Sequence, residues 1–127
     1  MAINKKTRLK VWKKYGKRCA YCGCSLEYSQ MQVDHIQSKA HHRRYKIKEV
    51  DRIENLNPSC RACNFYKGGG TLEAFRKRVN TIKARLEKQF IVRLAIKYGI
   101  LEYKEIDKRF YFEKMTGKTN NQVAKRK

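Results

Sequence analysis

The chain has 127 residues, 32 of them Lys or Arg against 11 Asp or Glu, for a formal net charge of +21. That length fits one domain with a single modest core, small enough to gain from a staple. The charge favours a polyanionic partner, and no apolar run approaches the ~18–20 residues of a membrane span. The N-terminus MAINKKTRLK lacks a signal-peptide core, so an intracellular, cytoplasmic setting is expected, with the cysteines kept as thiols or metal ligands.

In chain order, TRLKVWKKYG reads as a short helix with Leu9, Trp12 and Tyr15 on one side and Gly16 as its stop. CAYCGCSLEY reads as a turn followed by a strand, with MQVDHI as its antiparallel partner. Residues 37–54 form a long, polar, basic connection without periodicity, a length that is usually functional or disordered. NPSCRACNFYKGGG gives a turn, a short helix and a glycine-rich stop. From Thr71, a plausible N-cap, the residues Leu72, Phe75, Val79, Ile82, Leu86 and Phe90 recur every three or four positions, which predicts one amphipathic helix. IVRLAIKYG predicts another, ended by Gly99, and the alternation in RFYFEK predicts a late strand. The last fourteen residues hold five bases and no acid, and read as a disordered tail. The expected organisation is one domain over 1–113, with a core at about 15–75, an extension over 71–113 and a basic tail over 114–127.

Cys19-x-x-Cys22 and Cys60-x-x-Cys63 form two pairs with knuckle spacing. Two residues between thiolates allow a tight turn to aim both sulfurs at one tetrahedral ion, so the two pairs predict a structural Zn²⁺ site. A redox CxxC would need a thioredoxin-like context that this sequence lacks. Cys24 falls outside the spacing and is read as a small core residue. The 37 residues between the pairs exceed the insert of a simple zinc ribbon and contain Asp34-His35. If a metal joins the knuckles, Asp34-His35 leaves the first as Asn64 and Lys67 leave the second, which brings distant residues together. A module built only to bind would not need that arrangement.

The motifs CAYCG, QVDHI and ENLNPSCRACNFYKGG, in that order over about residues 15–75, resemble the HNH endonuclease family. The resemblance implies an α+β fold: a ββα-metal (His-Me finger) core stapled by a zinc-knuckle pair, with flanking helices and a C-terminal helical extension. It implies a general base at His35, a catalytic divalent ion on Asp34 and Asn64, and a loop-bracing asparagine at Asn55. Some members have a third histidine where this chain has Asn64. Cys19, Cys22, Cys60 and Cys63 match the zinc site of many members. The family's products carry 5′-phosphate and 3′-hydroxyl ends.

The chemistry agrees with these residue types. A neutral imidazole can take a proton from water, and oxygen ligands suit Mg²⁺ or Mn²⁺ beside a phosphate. Lys67, Arg43, Arg44 and Arg61 are candidate nucleic-acid contacts, with a solvated helix lysine as the other reading of Lys67. His41 and His42 are read as solvated or phosphate-facing. The leading expectation is a metal-dependent endonuclease nicking or cutting DNA as a monomer or weak dimer, in a phage, mobile-element or restriction setting. The alternatives are a non-catalytic zinc-knuckle protein that binds nucleic acid and an RNA-coating protein; neither explains the set Asp34, His35 and Asn64.

Overall fold

The computed structural model describes residues 3–117. Helix α1 (Lys5–Lys13) starts at Asn4, whose side-chain oxygen accepts from the amide of Thr7 at 2.8 Å. Its buried residue is Val11, while Leu9, expected on the inner side, is 40% exposed. Trp12 does turn inward and donates its indole N–H to the carbonyl of Leu26 at 2.9 Å. The Lys14 ammonium donates to the carbonyls of Ile53 and Leu56, and burial pulls its pKa down to about 8. Gly16 follows at φ 70° and turns the chain toward the first cysteine pair.

Strand β1 (Gln32–His35) pairs antiparallel with β2 (Leu56–Ser59), so that Asp34 faces Asn57 and Val33 faces Pro58. The expected partner, the segment after the first cysteine pair, contributes only an isolated bridge between Arg18 and Ser25. The strand lies instead at Leu56–Ser59, over the NPS stretch read as a turn. Pro58 is tolerated there because each strand of a two-stranded sheet is an edge. Short helices then build the rest: α2 (Lys39–Arg44) inside the supposed loop, a 3₁₀ turn at Ile53–Asn55, and α3 (Arg61–Lys67) directly after β2. Strands β1 and β2 with α3 form the ββα unit.

The helix expected from Thr71 is broken into α4 (Leu72–Asn80) and α5 (Ile82–Glu87), and the separate helix expected over IVRLAIKYG is α6 (Phe90–Lys97). Thr71 caps α4 as expected, accepting from Ala74 at 3.0 Å. The apolar stripe is buried only at its start: Leu72 and Phe75 are in the core, whereas Ile82 and Leu86 are 40% exposed and Phe90 is 67% exposed. No helix among the described residues is long and apolar enough to cross a membrane.

The late strand expected over 109–114 is also a helix, α7 (Tyr111–Thr116), so residues 114–116 are structured rather than tail; residues 118–127 lie outside the described residues. The amides of Tyr111 and Phe112 donate to the carbonyls of Tyr21 and Ala20, docking α7 on the first cysteine pair. Gly23 allows this close approach: at φ 81° it is left-handed, and a Cβ there would lie 2.9 Å from the Tyr111 ring. The alternating Phe110 and Phe112 both face inward. Tyr21, Phe75, Phe110 and Phe112 form the aromatic centre of the core, with Phe75 and Phe110 stacked at 5.0 Å.

A buried ion pair locks α4 to α7. Arg76 donates through both terminal nitrogens to the two carboxylate oxygens of Glu113, at 2.7 and 2.8 Å, and Glu113 also accepts from the amide of Phe110. Glu113 is fully buried, so removing it leaves the buried Arg76 guanidinium only the partly exposed Glu73 and the Lys108 carbonyl as partners. Glu113→Ala is expected to cost about 3–5 kcal/mol of unfolding free energy in denaturant melts.

Candidate active site and four-thiol centre

The first cysteine pair lies in a tight turn in which the Cys19 amide donates to the carbonyl of Cys24 and the Gly23 amide to that of Cys19. Cys60 is the N-cap of α3, and its sulfur accepts from the amide of Cys63. A bond from the Ala20 amide to the carbonyl of Pro58 ties the two turns together. As a result the sulfurs of Cys19, Cys22, Cys60 and Cys63 all lie within 4.8 Å of one another, with Cys22 and Cys60 3.9 Å apart. Four thiolates on a tetrahedral zinc, with bonds of about 2.3 Å, would be separated by about 3.8 Å. Donor type and spacing both fit a metal site.

The cluster cannot carry four negative charges without a cation. A hydrogen bond with Cys63 pulls the Cys19 thiol down to about 4, and the same contact pushes Cys63 up. Burial pushes Cys22 up to about 12. Cys24, expected in the core, is exposed and lies outside the four-sulfur cluster.

The second centre lies between β1 and α3. Alternation on β1 puts Gln32 and Asp34 on one face and His35 on the other. On α3, Asn64 and Lys67 are three residues apart and share a face. The two faces are bonded together: the Asn64 amide donates to Gln32 at 2.5 Å, and the Lys67 ammonium lies 3.3 and 3.2 Å from the two oxygens of Asp34. Lys67 is buried and also donates to the carbonyls of His35 and Gly70 at 3.1 and 3.3 Å. From there its ammonium serves Asp34 rather than solvent, which differs from the expected reach to a phosphate.

Asp34 is itself buried and accepts from the Tyr21 hydroxyl at 2.5 Å. Burial pushes its carboxyl pKa up, against the opposing pull of Lys67 and the Tyr21 hydrogen bond. The Tyr21 phenol is pushed well up, first by burial and then by the Asp34 charge. The site therefore holds a buried carboxylate whose partners are the Lys67 ammonium and the Tyr21 hydroxyl, with Asn64 bonded to Gln32 on the same strand. Hard oxygen donors of this kind fit Mg²⁺ or Mn²⁺.

His35 points away from this carboxylate, and its Nε2 lies 2.6 Å from Asp51. Asn55 is buried and braces the intervening loop, donating to the carbonyls of Gln37 and Val50 and accepting from the amide of Gln37. His42, expected at the surface, is buried: its Nε2 accepts from Arg52 and its Nδ1 donates to the carbonyl of Ser38. His41 packs against the Tyr45 ring at 4.8 Å. Arg43, Arg44 and Arg61 are exposed. Sequence reasoning missed Tyr21 and Asp51. Tyr21 carried only the weak signal of an aromatic residue between the thiols, and the structure buries it in the core. Asp51 carried none, because its contact spans sixteen residues of irregular chain.

A ββα unit stapled by four thiols, with Asp-His on the first strand and Asn on the following helix, defines a nuclease-type domain. Residues 19–69 match the HNH endonuclease family model. The chain is also similar to the Type II-C Cas9 enzyme from Actinomyces naeslundii in its crystal structure. That match has 26% identity and a TM-score of 0.47, covering 57% of this chain and 8% of that one. The chain thus spans only a small part of that enzyme. No curated protein matches it.

The Tyr21 hydroxyl bridges Asp34 and Asn57, whose side-chain amide donates to it at 3.3 Å. Tyr21→Phe leaves both without this partner, and is expected to cost about 1–3 kcal/mol in denaturant unfolding. The metal content of the four-thiol centre should stay unchanged, as measured by elemental analysis.

Proposed function

We propose that the protein is a metal-dependent endonuclease hydrolysing DNA phosphodiester bonds, with His35 as general base and Asp34 and Asn64 as ligands of one Mg²⁺ or Mn²⁺ ion. The observation that carries this reading is the buried Asp34 carboxylate, next to His35 on β1 and bonded to Lys67 of α3, whose Asn64 is itself bonded to Gln32 of the same strand. A carboxylate is expensive to bury; Lys67 and Tyr21 offset that cost at Asp34, and a module built only to bind would not need the histidine beside it.

The roles follow from the chemistry of each residue. His35 takes the proton from the attacking water. The bound ion would polarise the phosphate and stabilise the leaving 3′ oxygen. Asn55 holds the loop that follows His35 by its three side-chain hydrogen bonds. Tyr21 and Lys67 fix the Asp34 carboxylate from two sides. The exposed Arg43, Arg44 and Arg61 are suited to phosphate contacts that are independent of sequence. The four thiols would hold a Zn²⁺ ion that joins the first cysteine turn to the start of α3, a structural role.

Purified protein is expected to contain about one Zn²⁺ per chain by elemental analysis. Cys60→Ser should lose both metal and folded structure, because so small a core depends on its staple.

The decisive experiment is conversion of supercoiled plasmid to open-circle or linear form with Mg²⁺, Mn²⁺ or chelator. His35→Ala should lower cleavage by roughly 10²- to 10⁴-fold, with zinc content, folding and DNA affinity near wild type. Raised Mn²⁺ should not restore it, since added metal does not replace a proton acceptor. Wild-type cutting by His35→Ala would leave DNA binding alone as the function.

A further inference from the structure

The sequence contains few acids, and one of them stands where a polyanion would be expected to lie. Asp51 borders an open cleft of about 460 Å³ that is also lined by Lys39, His42, Arg43, Lys46 and Lys48. A carboxylate there opposes DNA binding, so its presence calls for another role. Its contact supplies one: Asp51 Oδ1 lies 2.6 Å from His35 Nε2, with His35 largely shielded and Asp51 partly exposed.

We propose that Asp51 is a positioning residue that fixes the tautomer and ring orientation of His35. The inference rests on the assignment of His35 as general base. A carboxylate only accepts hydrogen bonds, so the imidazole must donate Nε2–H to it, which leaves Nδ1 as the nitrogen with a free lone pair. Without that partner the proton divides between the two nitrogens, and part of the population presents N–H where a base is required.

The backbone on both sides of this pair is held by one buried side chain. Asn55 donates to the carbonyl of Val50, the residue before Asp51, and to the carbonyl of Gln37, two residues after His35. It also accepts from the Gln37 amide, and its own carbonyl accepts from the amide of Ile36. The turn carrying Asp51 is closed by the bond from the Arg52 amide to Glu49, and the Arg52 guanidinium bonds both Glu49 and His42. An ordinary surface ion pair has no such bracing and contributes little.

The test uses the full chain with Asp51→Asn and Asp51→Ala. Long-range ¹H–¹⁵N NMR at alkaline pH should find His35 as the Nε2–H tautomer in wild type and as a mixture in Asp51→Ala. Asp51→Asn is nearly isosteric and keeps the fold, but its amide can donate to Nε2 and force the wrong tautomer. Its single-turnover cleavage should fall on the order of 10²-fold or more. Affinity for duplex DNA in chelator should be unchanged or tighter in both variants, a split that a merely structural residue would not give. In a His35→Ala background, Asp51→Asn should cause no further loss of cleavage. Protonation of Nδ1 in wild type, or full cleavage by Asp51→Asn, would overturn the role of Asp51. Wild-type cutting by His35→Ala would instead overturn the base assignment, and with it the catalytic part of this inference.

Discussion

Four sulfurs from two turns 37 residues apart converge within 4.8 Å, and the geometry of the site depends on that convergence. Because Cys60 is the N-cap of α3, the position of the cluster sets the position of the helix. Because the first pair is tied through Ala20 to Pro58, it also sets the sheet against that helix. Asp34 and Lys67 come into register only once both are fixed. The residue between the first thiols, Tyr21, extends from the cluster into the aromatic core and ends on Asp34. A single turn thereby links the staple, the core and the site.

The strongly positive chain makes its internal acids informative. Glu113 and Asp34 are both buried, each against a single buried cation, Arg76 and Lys67. Buried pairs add little net stability over apolar packing, but losing one partner is costly, so they discriminate strongly against other arrangements. The Arg76–Glu113 pair fixes where α7 docks on the first cysteine turn. The Asp34–Lys67 pair fixes where the glycine-rich end of α3 meets β1. In a protein rich in surface bases, these two contacts give Arg76 and Lys67 a defined address.

Beyond this region the structure thins. Helices α5 and α6 carry Ile82, Leu86, Phe90 and Ile91 at 40–68% exposure, although their apolar spacing continues from α4. The stripe runs past the edge of the core: Val79 still packs against it, while Ile82, Leu86 and Phe90 do not. Periodicity therefore reports a helical face, and burial depends on whether another element lies opposite.

The sequence by itself determined the short-range features: the two thiol turns, the cap at Thr71, the stops at Gly16 and Gly99, and the candidate set Asp34, His35, Asn55 and Asn64. Their signals are local spacings and residue chemistries, which need no knowledge of what packs where. Only the tertiary structure decided which strand pairs with β1, since a partner is chosen by long-range register and NPS looks locally like a turn. It alone showed RFYFEK to be a helix entry, because Phe110 and Phe112 alternate against the first cysteine turn rather than along a sheet. It also turned Lys67 inward to Asp34, buried His42 against Arg52 and brought Asp51 to His35. Each of those contacts is set by the closure of a long loop, whose ends meet only after the thiols and Asn55 have fixed the chain on either side.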